Sequence, residues 1–165
     1  MENIGAALYA RISGTSAAAI IIRAMQTADL AVVARLEQEI FPDPWDTGGM
    51  DKLLGETASM AIVAELEGHI AGYAFCWMLE GQWEILNFAV TGSARRRGIG
   101  DRMMDELLEA AQTAGCREGF LEVRQSNDAA IRLYNKYDFE TVGIRRHYYN
   151  DGEDALVMHR ANNTR

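Results

Sequence analysis

Two apolar spacings alternate along this chain, and each predicts a different element. Ile20-Ile21-Ile22-Arg23 is a short β-branched run that predicts a strand. Leu30, Val33, Leu36 and Ile40 then recur at helical spacing, with Thr27 available as a cap. Phe41-Pro42-Asp43-Pro44-Trp45 stops that helix, because a proline cannot continue one and pushes its predecessor to extended geometry. Asp46 can cap a second, shorter helix through Met50, Leu53 and Leu54. Ser59–Leu66 and Ile70–Leu79 predict a hairpin closed by Glu67-Gly68-His69. A strand at Ile85–Val90 leads through Thr91–Ala94 and an arginine-glycine loop into a helix with Met103, Met104, Leu107 and Leu108 on one stripe. Gly115 ends it as a C-cap. Phe120–Arg124 predicts a strand, and Asn127–Lys136 a helix with Ala130, Ile131 and Tyr134 on one side. Phe139–Ile144 and Ala155–His159 predict the last two strands.

The order is β-α-α-β-β-β-α-β-α-β-β. Antiparallel strands lead into a β-α-β crossover, whose two strands run parallel when adjacent. The expectation is an α/β architecture of the α+β kind. Its central sheet is mixed and mostly antiparallel, with about six to seven strands and helices on both faces. Met1–Ala18 has no clear period, so residues 1–18 are expected to be a loose extension, or to carry a helix at Ile4–Ile12 packed on the body. Residues 19–161 form the expected single domain and 162–165 a tail.

Composition narrows the class. At 165 residues, 48% hydrophobic and 24% charged, the chain suits one domain with its own core. A net charge of −8 argues against a general nucleic-acid binder. It suits a basic partner, and it suits solubility alone. Cys76 and Cys116 lack CxxC spacing and a neighbouring histidine, so buried, reduced thiols and no metal are expected. Asn162-Asn163-Thr164 fits a glycosylation sequon and is taken as coincidence. The charge-free run Ile12–Ile22 is eleven residues, against the roughly 20 that span a bilayer. With no export signal read at the N-terminus, the expected location is cytoplasmic, with no membrane partner.

Three places carry candidate chemistry. Arg95-Arg96-Arg97-Gly98-Ile99-Gly100 lies between a strand and a helix, where unpaired backbone N–H groups and the positive end of a helix dipole converge. Glycines there let a ligand approach the backbone. The segment suits a phosphate, and it suits equally a solvated basic turn whose glycine serves backbone geometry. A dinucleotide fingerprint would need glycine at 103, where Met103 stands, and no Gly-Lys-Ser/Thr occurs anywhere. Glu122 interrupts an apolar strand. It either faces solvent, pairs with Arg124 on the same face, or sits half-buried with a raised pKa and works as a base. Tyr134 suits core packing against Ala130 and Ile131, yet its phenol is protonated at pH 7 and can donate to a leaving thiolate.

The basic loop resembles the acyl-CoA loop of the GNAT acetyltransferases, whose pattern is Gln or Arg, two residues, Gly, any residue, then Gly or Ala. The resemblance implies that Arg95, Arg96, Arg97, Gly98, Ile99, Gly100 and Asp101 form the holder of the CoA pyrophosphate, chiefly through backbone amides. It also implies that Phe88, Ala89 and Val90 pair through their backbones with the pantetheine arm, in a splay between the fourth and fifth strands. Leu121-Glu122-Val123-Arg124-x-Ser126-Asn127-x-x-Ala130-x-x-Leu133-Tyr134, with Phe139, Gly143, Arg145-Arg146-x-Tyr148-Tyr149 and Glu153-Asp154-Ala155-x-x-Met158, is similar to the RimI branch. Phe41-Pro42-x-x-Trp45 matches as well, and the resemblance spans about Ile20–His159. Enzymes of that branch acetylate the N-terminal alanine of ribosomal protein S18. By resemblance, Glu122 is the general base, Tyr134 the general acid and Asn127 a cofactor contact, while Trp45 and Tyr148 belong to the acceptor pocket. Three positions depart from the pattern. Arg95 replaces the commoner glutamine, Asp101 replaces a frequent Arg or Lys, and Thr47-Gly48-Gly49 replaces a Ser-Glu-rich helix start.

The implied reaction is direct acetyl transfer from acetyl-CoA to a protein N-terminal amine in one ternary complex, without nucleic acid or metal. Neither cysteine has a base beside it in sequence, so no acetyl-cysteine step is expected. Two other readings stand beside this one. The same fold could serve a lysine, a small amine or an antibiotic, or it could bind acyl-CoA as a non-catalytic sensor or scaffold.

Overall fold

The computed structural model describes residues 19–161, so the expected extension over 1–18, its helix at 4–12, and the tail and sequon within 162–165 lie outside them. In chain order the elements are β1 (Ile20–Ala24), α1 (Leu30–Ile40), α2 (Thr47–Gly55), β2 (Ser59–Leu66), β3 (His69–Leu79) and β4 (Gln82–Val90). They continue with α3 (Ile99–Thr113), β5 (Glu118–Arg124), α4 (Asp128–Lys136), β6 (Glu140–Arg145) and β7 (Ala155–Ala161). The predicted order holds throughout. Among the described residues seven strands form one sheet in the order β1-β2-β3-β4-β5-β7-β6, and β4–β5 is its parallel pair.

Local chemistry explains most boundaries. The β2–β3 turn places Glu67 and Gly68 at φ 53° and 79°. That is the left-handed geometry whose twist suits a two-residue hairpin. Asp46 caps α2 by accepting from Gly49 N–H at 2.8 Å, as expected. Gly115 ends α3 at φ 75°, with Cys116 N–H bonded back to the Ala111 carbonyl at 2.8 Å. One expected cap is corrected. Thr27 lies inside a short 3-10 turn, Thr27–Asp29, that precedes α1. Asp29 organises that entry instead, accepting from Gln26 N–H at 2.8 Å and from Arg23 at 2.7 Å.

The sheet carries a core on each face. Met103, Met104 and Leu107 of α3 are fully buried with Ile62, Cys76, Leu121 and Met158. Leu30, Val33 and Met50 of α1 and α2 are buried on the opposite face with Val63, Tyr73 and Phe75. Each such side chain contributes about 1.5–3 kcal/mol of transfer free energy. The two helices on each face are the predicted layers. Gly119 is fixed by packing, since a Cβ there would stand 2.5 Å from the Trp83 indole. No described helix is long and apolar enough to cross a membrane.

One irregularity shapes the middle of the sheet. Opposite β3, Asn87 pairs with Phe75 but Ile85 with Cys76, so Leu86 is an extra residue and β4 bulges there. The β4–β5 ladder ends at the adjacent pair, Ile85 with Leu121. Beyond it β4 stays with β3 while β5 leads on to β7, and the two parallel strands fork.

Candidate active site

The first half of the site is backbone. Thr91 N–H donates to the Ala71 carbonyl at 2.9 Å. By the two-residue alternation of an antiparallel ladder, Phe88 and Val90 therefore aim their peptide groups at the opposite edge, into the fork. Past Val90, Arg96 and Gly98 adopt φ 62° and 80°, and Gly98 is the N-cap of α3. The first closed turn of that helix is Arg102 N–H to the Gly98 carbonyl at 3.0 Å. The amides of Ile99, Gly100 and Asp101 precede it and have no place in the helix's own ladder. Gly100 also admits α4 closely, because a Cβ there would meet Leu133 at 3.2 Å.

These groups surround a cavity of about 620 Å³. Phe88, Ala89, Val90, Arg95, Arg96, Gly98, Ile99, Gly100, Asp101 and Asn127 line it; Arg97, also expected there, does not. Arg95 turns back to donate to the Val90 carbonyl at 3.3 Å. Asn127 caps α4, accepting from Ala130 N–H at 3.2 Å. The Asp101 carboxylate does not point its charge into the cavity alone. Lys136 at 2.6 Å and the Tyr137 hydroxyl at 3.2 Å hold it, tying the start of α3 to the end of α4. Arg132 and the apolar pair Ile40 and Phe41 also line the cavity, residues that the sequence did not assign to a cofactor site.

The second half is side chains. Glu122 is the first β5 residue past the last β4 pair, on the α1–α2 face of the sheet. Its side chain is 17% exposed and meets Arg145 at 2.6 Å. Tyr148 also hydrogen-bonds to Glu122, and that bond is the first cause of a raised Tyr148 pKa. The expected alternative partner, Arg124, is engaged elsewhere. It donates to Asp151 at 2.7 Å, Glu153 at 2.8 Å and Asp43 at 3.1 Å, and lies 3.9 Å over the Tyr149 ring. Asn150 adds a 3.1 Å bond to Asp43. This clasp joins the α1–α2 connection to the β6–β7 connection across the end of β5.

Tyr134 is 5% exposed and stacks edge-on between Phe88 and Phe139, with centroids 6.1 and 6.0 Å away. The packing role foreseen for its ring is therefore real. Burial, and secondarily Tyr149, push its phenol well above the usual tyrosine range. Phe88, on which it rests, lines the cavity. Tyr149 is pushed up to about 12, by burial first, and the Glu122 charge adds to that rise, while Tyr149 in turn adds to the rise at Tyr134. Both cysteines are buried, and burial raises both thiols, which suits neither as a nucleophile.

Trp45 is half-buried, 5.7 Å from the Phe75 ring, and its backbone N–H donates to Glu37 at 3.2 Å. Glu37 is itself 1% exposed and accepts from Asn87 Nδ2 at 3.0 Å and from the Tyr73 hydroxyl. One carboxylate thus binds α1, β3, the bulge of β4 and the α1–α2 connection together. Sequence reasoning missed it, although a signal existed. Glu37 falls on the buried stripe of α1, beside Leu36 and four residues from Val33. A charged residue at a core position needs partners.

Two facing halves now define the class: a backbone cradle at a helix N-terminus, and a carboxylate with tyrosines at a strand fork. The sequence pattern of the acetyltransferase (GNAT) family matches residues 30–139, and the chain belongs to that family of acyltransferases. It is 34% identical over 148 residues to the N-alpha-acetyltransferase RimI of Mycobacterium tuberculosis, covering 86% of this chain and 92% of that one. To the ribosomal protein bS18-alanine N-acetyltransferase of Escherichia coli strain K12 it is 31% identical over 140 residues, 83% of this chain and 94% of that one. The crystal structure of the ribosomal-protein-S18-alanine N-acetyltransferase from Escherichia coli matches with a TM-score of 0.80 at 30% identity, covering 87% of this chain and 94% of that one.

Proposed function

We propose that this protein transfers the acetyl group of acetyl-CoA to a protein N-terminal α-amine, that of the N-terminal alanine of ribosomal protein S18, with both substrates bound at once. The reading rests on one observation above the others. Glu122 stands at the fork where β4 turns its Phe88 and Val90 peptide groups toward the cavity. The names of the relatives above support the acceptor. The cavity suits CoA, because amides at the start of α3 match a pyrophosphate and the β4 edge matches an amide-bearing arm. Acetyl-CoA, when bound, supplies an acetyl group activated as a thioester.

The chain's own groups then divide the work. Ile99, Gly100 and Asp101 amides hold the diphosphate, and Phe88–Val90 orient the arm. An α-amine of pKa about 8 is mostly ammonium at pH 7 and must lose a proton before it attacks. Glu122 takes that proton, directly or through water. Arg145, with 59% of its side chain exposed, swings to solvent to free the carboxylate. A β4 peptide N–H near Val90 stabilises the charge developing on the carbonyl oxygen. Tyr134 donates to the departing sulfur. With its pKa raised well above that of a thiol, the phenol keeps its proton and stabilises the forming thiolate by hydrogen bonding, while solvent supplies the thiol proton, so its contribution is the milder one.

The test is to incubate the protein with acetyl-CoA and a peptide beginning Ala-Arg, beside the same peptide blocked at its N-terminus. Intact mass should show one added acetyl group on the first and none on the second. Acetylation of the blocked peptide on a lysine would overturn the acceptor assignment.

A further inference from the structure

A second carboxylate shares the fork with Glu122. Glu84 lies on β4, in register with Phe120, so it precedes the end of the ladder by one residue as Glu122 follows it. Trp83 and Ile85, its neighbours, enter the α3-side core, as do Leu121 and Val123 around Glu122. Period-two alternation therefore puts both carboxylates on the α1–α2 face of adjacent strands. Glu84 is half-buried. Burial, then the negative charge of Glu122, raise its carboxyl above the ordinary range, and Arg145 opposes them. Tyr148 is coupled to both carboxylates and to Arg145. On the opposite strand Glu84 pairs with Trp77, which is uncharged. Cys76, on the far face, is the remaining titratable group coupled to Glu84, and its thiol is buried.

Charge counting gives this arrangement a consequence. Glu122 with Arg145 alone is a neutral pair and offers nothing to an incoming cation. Glu84, on the same face of the adjacent strand, gives the cluster one more carboxylate than it has guanidinium groups while Arg145 is still in place. We propose that Glu84 is a second acceptor-site carboxylate, which holds the substrate's α-ammonium beside Glu122 and displaces Arg145 in its favour. The inference rests on the proposed amine acetylation and adds a residue to its acceptor site. It explains why an arginine can sit on the candidate base without blocking it. The arriving ammonium takes the guanidinium's place on Glu122, with Glu84 beside it, and Arg145 moves to solvent. Glu122 then removes one proton from that ammonium, and Glu84 retains its charge beside the protonated Glu122.

The experiment compares wild type, Glu84→Gln and Glu84→Asp. In Glu84→Gln the KM for the Ala-Arg peptide should rise about tenfold, the loss of one charge-assisted contact, while the Kd for CoA stays at the wild-type value. The acid limb of the kcat/KM profile should move to lower pH, because a like charge has been taken from the coupled carboxylates. Glu84→Asp, which keeps the charge, should recover most of the peptide KM. A peptide KM and acid limb unchanged in Glu84→Gln would overturn the proposal, and so would an equal loss in Glu84→Asp. Calorimetric titration of the Ala-Arg peptide into CoA-loaded wild type and Glu84→Gln separates this from failure of the reaction itself. If wild type acetylates nothing, the proposed function falls. Equal peptide affinity of the two proteins makes Glu84 fall with it, and weaker binding to the variant keeps Glu84 as an ammonium site.

Discussion

On the α3 side of the β4–β5 fork the site is made of peptide groups, and on the α1–α2 side it is made of side chains. The proposed cofactor half is built chiefly on a strand edge, a left-handed Gly98 and the first turn of one helix. Its backbone parts are contiguous, from Phe88 to Asp101, and local folding assembles them, while α1 and α4 close the remaining walls. The proposed acceptor half draws on Glu37, Asp43, Glu84, Glu122, Arg124, Arg145 and the Tyr148–Glu153 connection, which only the finished sheet brings together. Peptide dipoles do not titrate and tolerate sequence change around them. A side-chain cluster can be retuned residue by residue, so the fold can keep one cofactor while its acceptor changes.

The comparison breaks most sharply at Glu122. Glu122→Gln should lower kcat by about 10²–10⁴, the usual worth of a positioned general base, in steady-state assays across pH 6–9. Near-wild-type turnover over that range would remove Glu122 from the role. Tyr134→Phe should cost about 10-fold to 100-fold in kcat with KM values held, since the thiolate leaves fairly well unaided and the ring still packs on Phe88 and Phe139. A wild-type kcat there would leave Tyr134 a core residue alone.

On the backbone side, Gly98→Ala puts a Cβ at φ 80°, which costs roughly 1–2 kcal/mol. A weakening of CoA binding by about tenfold is expected by calorimetry, with the peptide KM unchanged. A changed peptide KM with intact CoA binding would show the two halves to be wrongly divided. Arg124→Met removes the guanidinium that ties Asp43 to Asp151 and Glu153 and leaves Asp43 held to the β6–β7 connection by Asn150. These pairs share one largely buried guanidinium with partly exposed carboxylates and are worth about 1 kcal/mol each, so the peptide KM should rise about fivefold and CoA affinity should not move.

The smallest effect is on stability in acid. Hydrogen bonds from Ser126 and Arg124 hold Glu153 at about 2, below its ordinary 4.5. Asp151 and Asp154 are lowered as well, by backbone N–H groups first and arginines second. Their folded-state values lie below their unfolded ones, so their contribution is complete above pH about 4.5 and is lost as pH falls toward 2. Thermal melts should show Tm falling through that window, and less steeply in Glu153→Gln.

The same division explains what the sequence disclosed. The strand and helix order came from period together with local proline, glycine and cap signals, and the Arg95–Gly100 loop was legible because its glycines and the helix after it are neighbours in the chain. Glu122 was visible as a charge inside an apolar strand, but its partner was not. Arg124, two residues away, was the local choice, while the structure gives it to three carboxylates on two connections and brings Arg145 across from β6. Asp101 was read as a charge beside phosphates, and its bonds to Lys136 and Tyr137 depend on where α4 docks. Thr27 was a plausible cap displaced by Asp29, because Arg23 on β1 and the turn geometry favour the carboxylate. Side-chain pairs between elements far apart in sequence have no period to announce them.

The separation of a peptide-built cofactor half from a side-chain-built acceptor half is tested most directly by titrating CoA calorimetrically into Glu122→Gln. A Kd within about twofold of wild type, in a variant whose turnover has fallen at least about 100-fold, is the expected result. CoA affinity that falls in step with turnover would contradict it, because one shared framework would then hold both substrates.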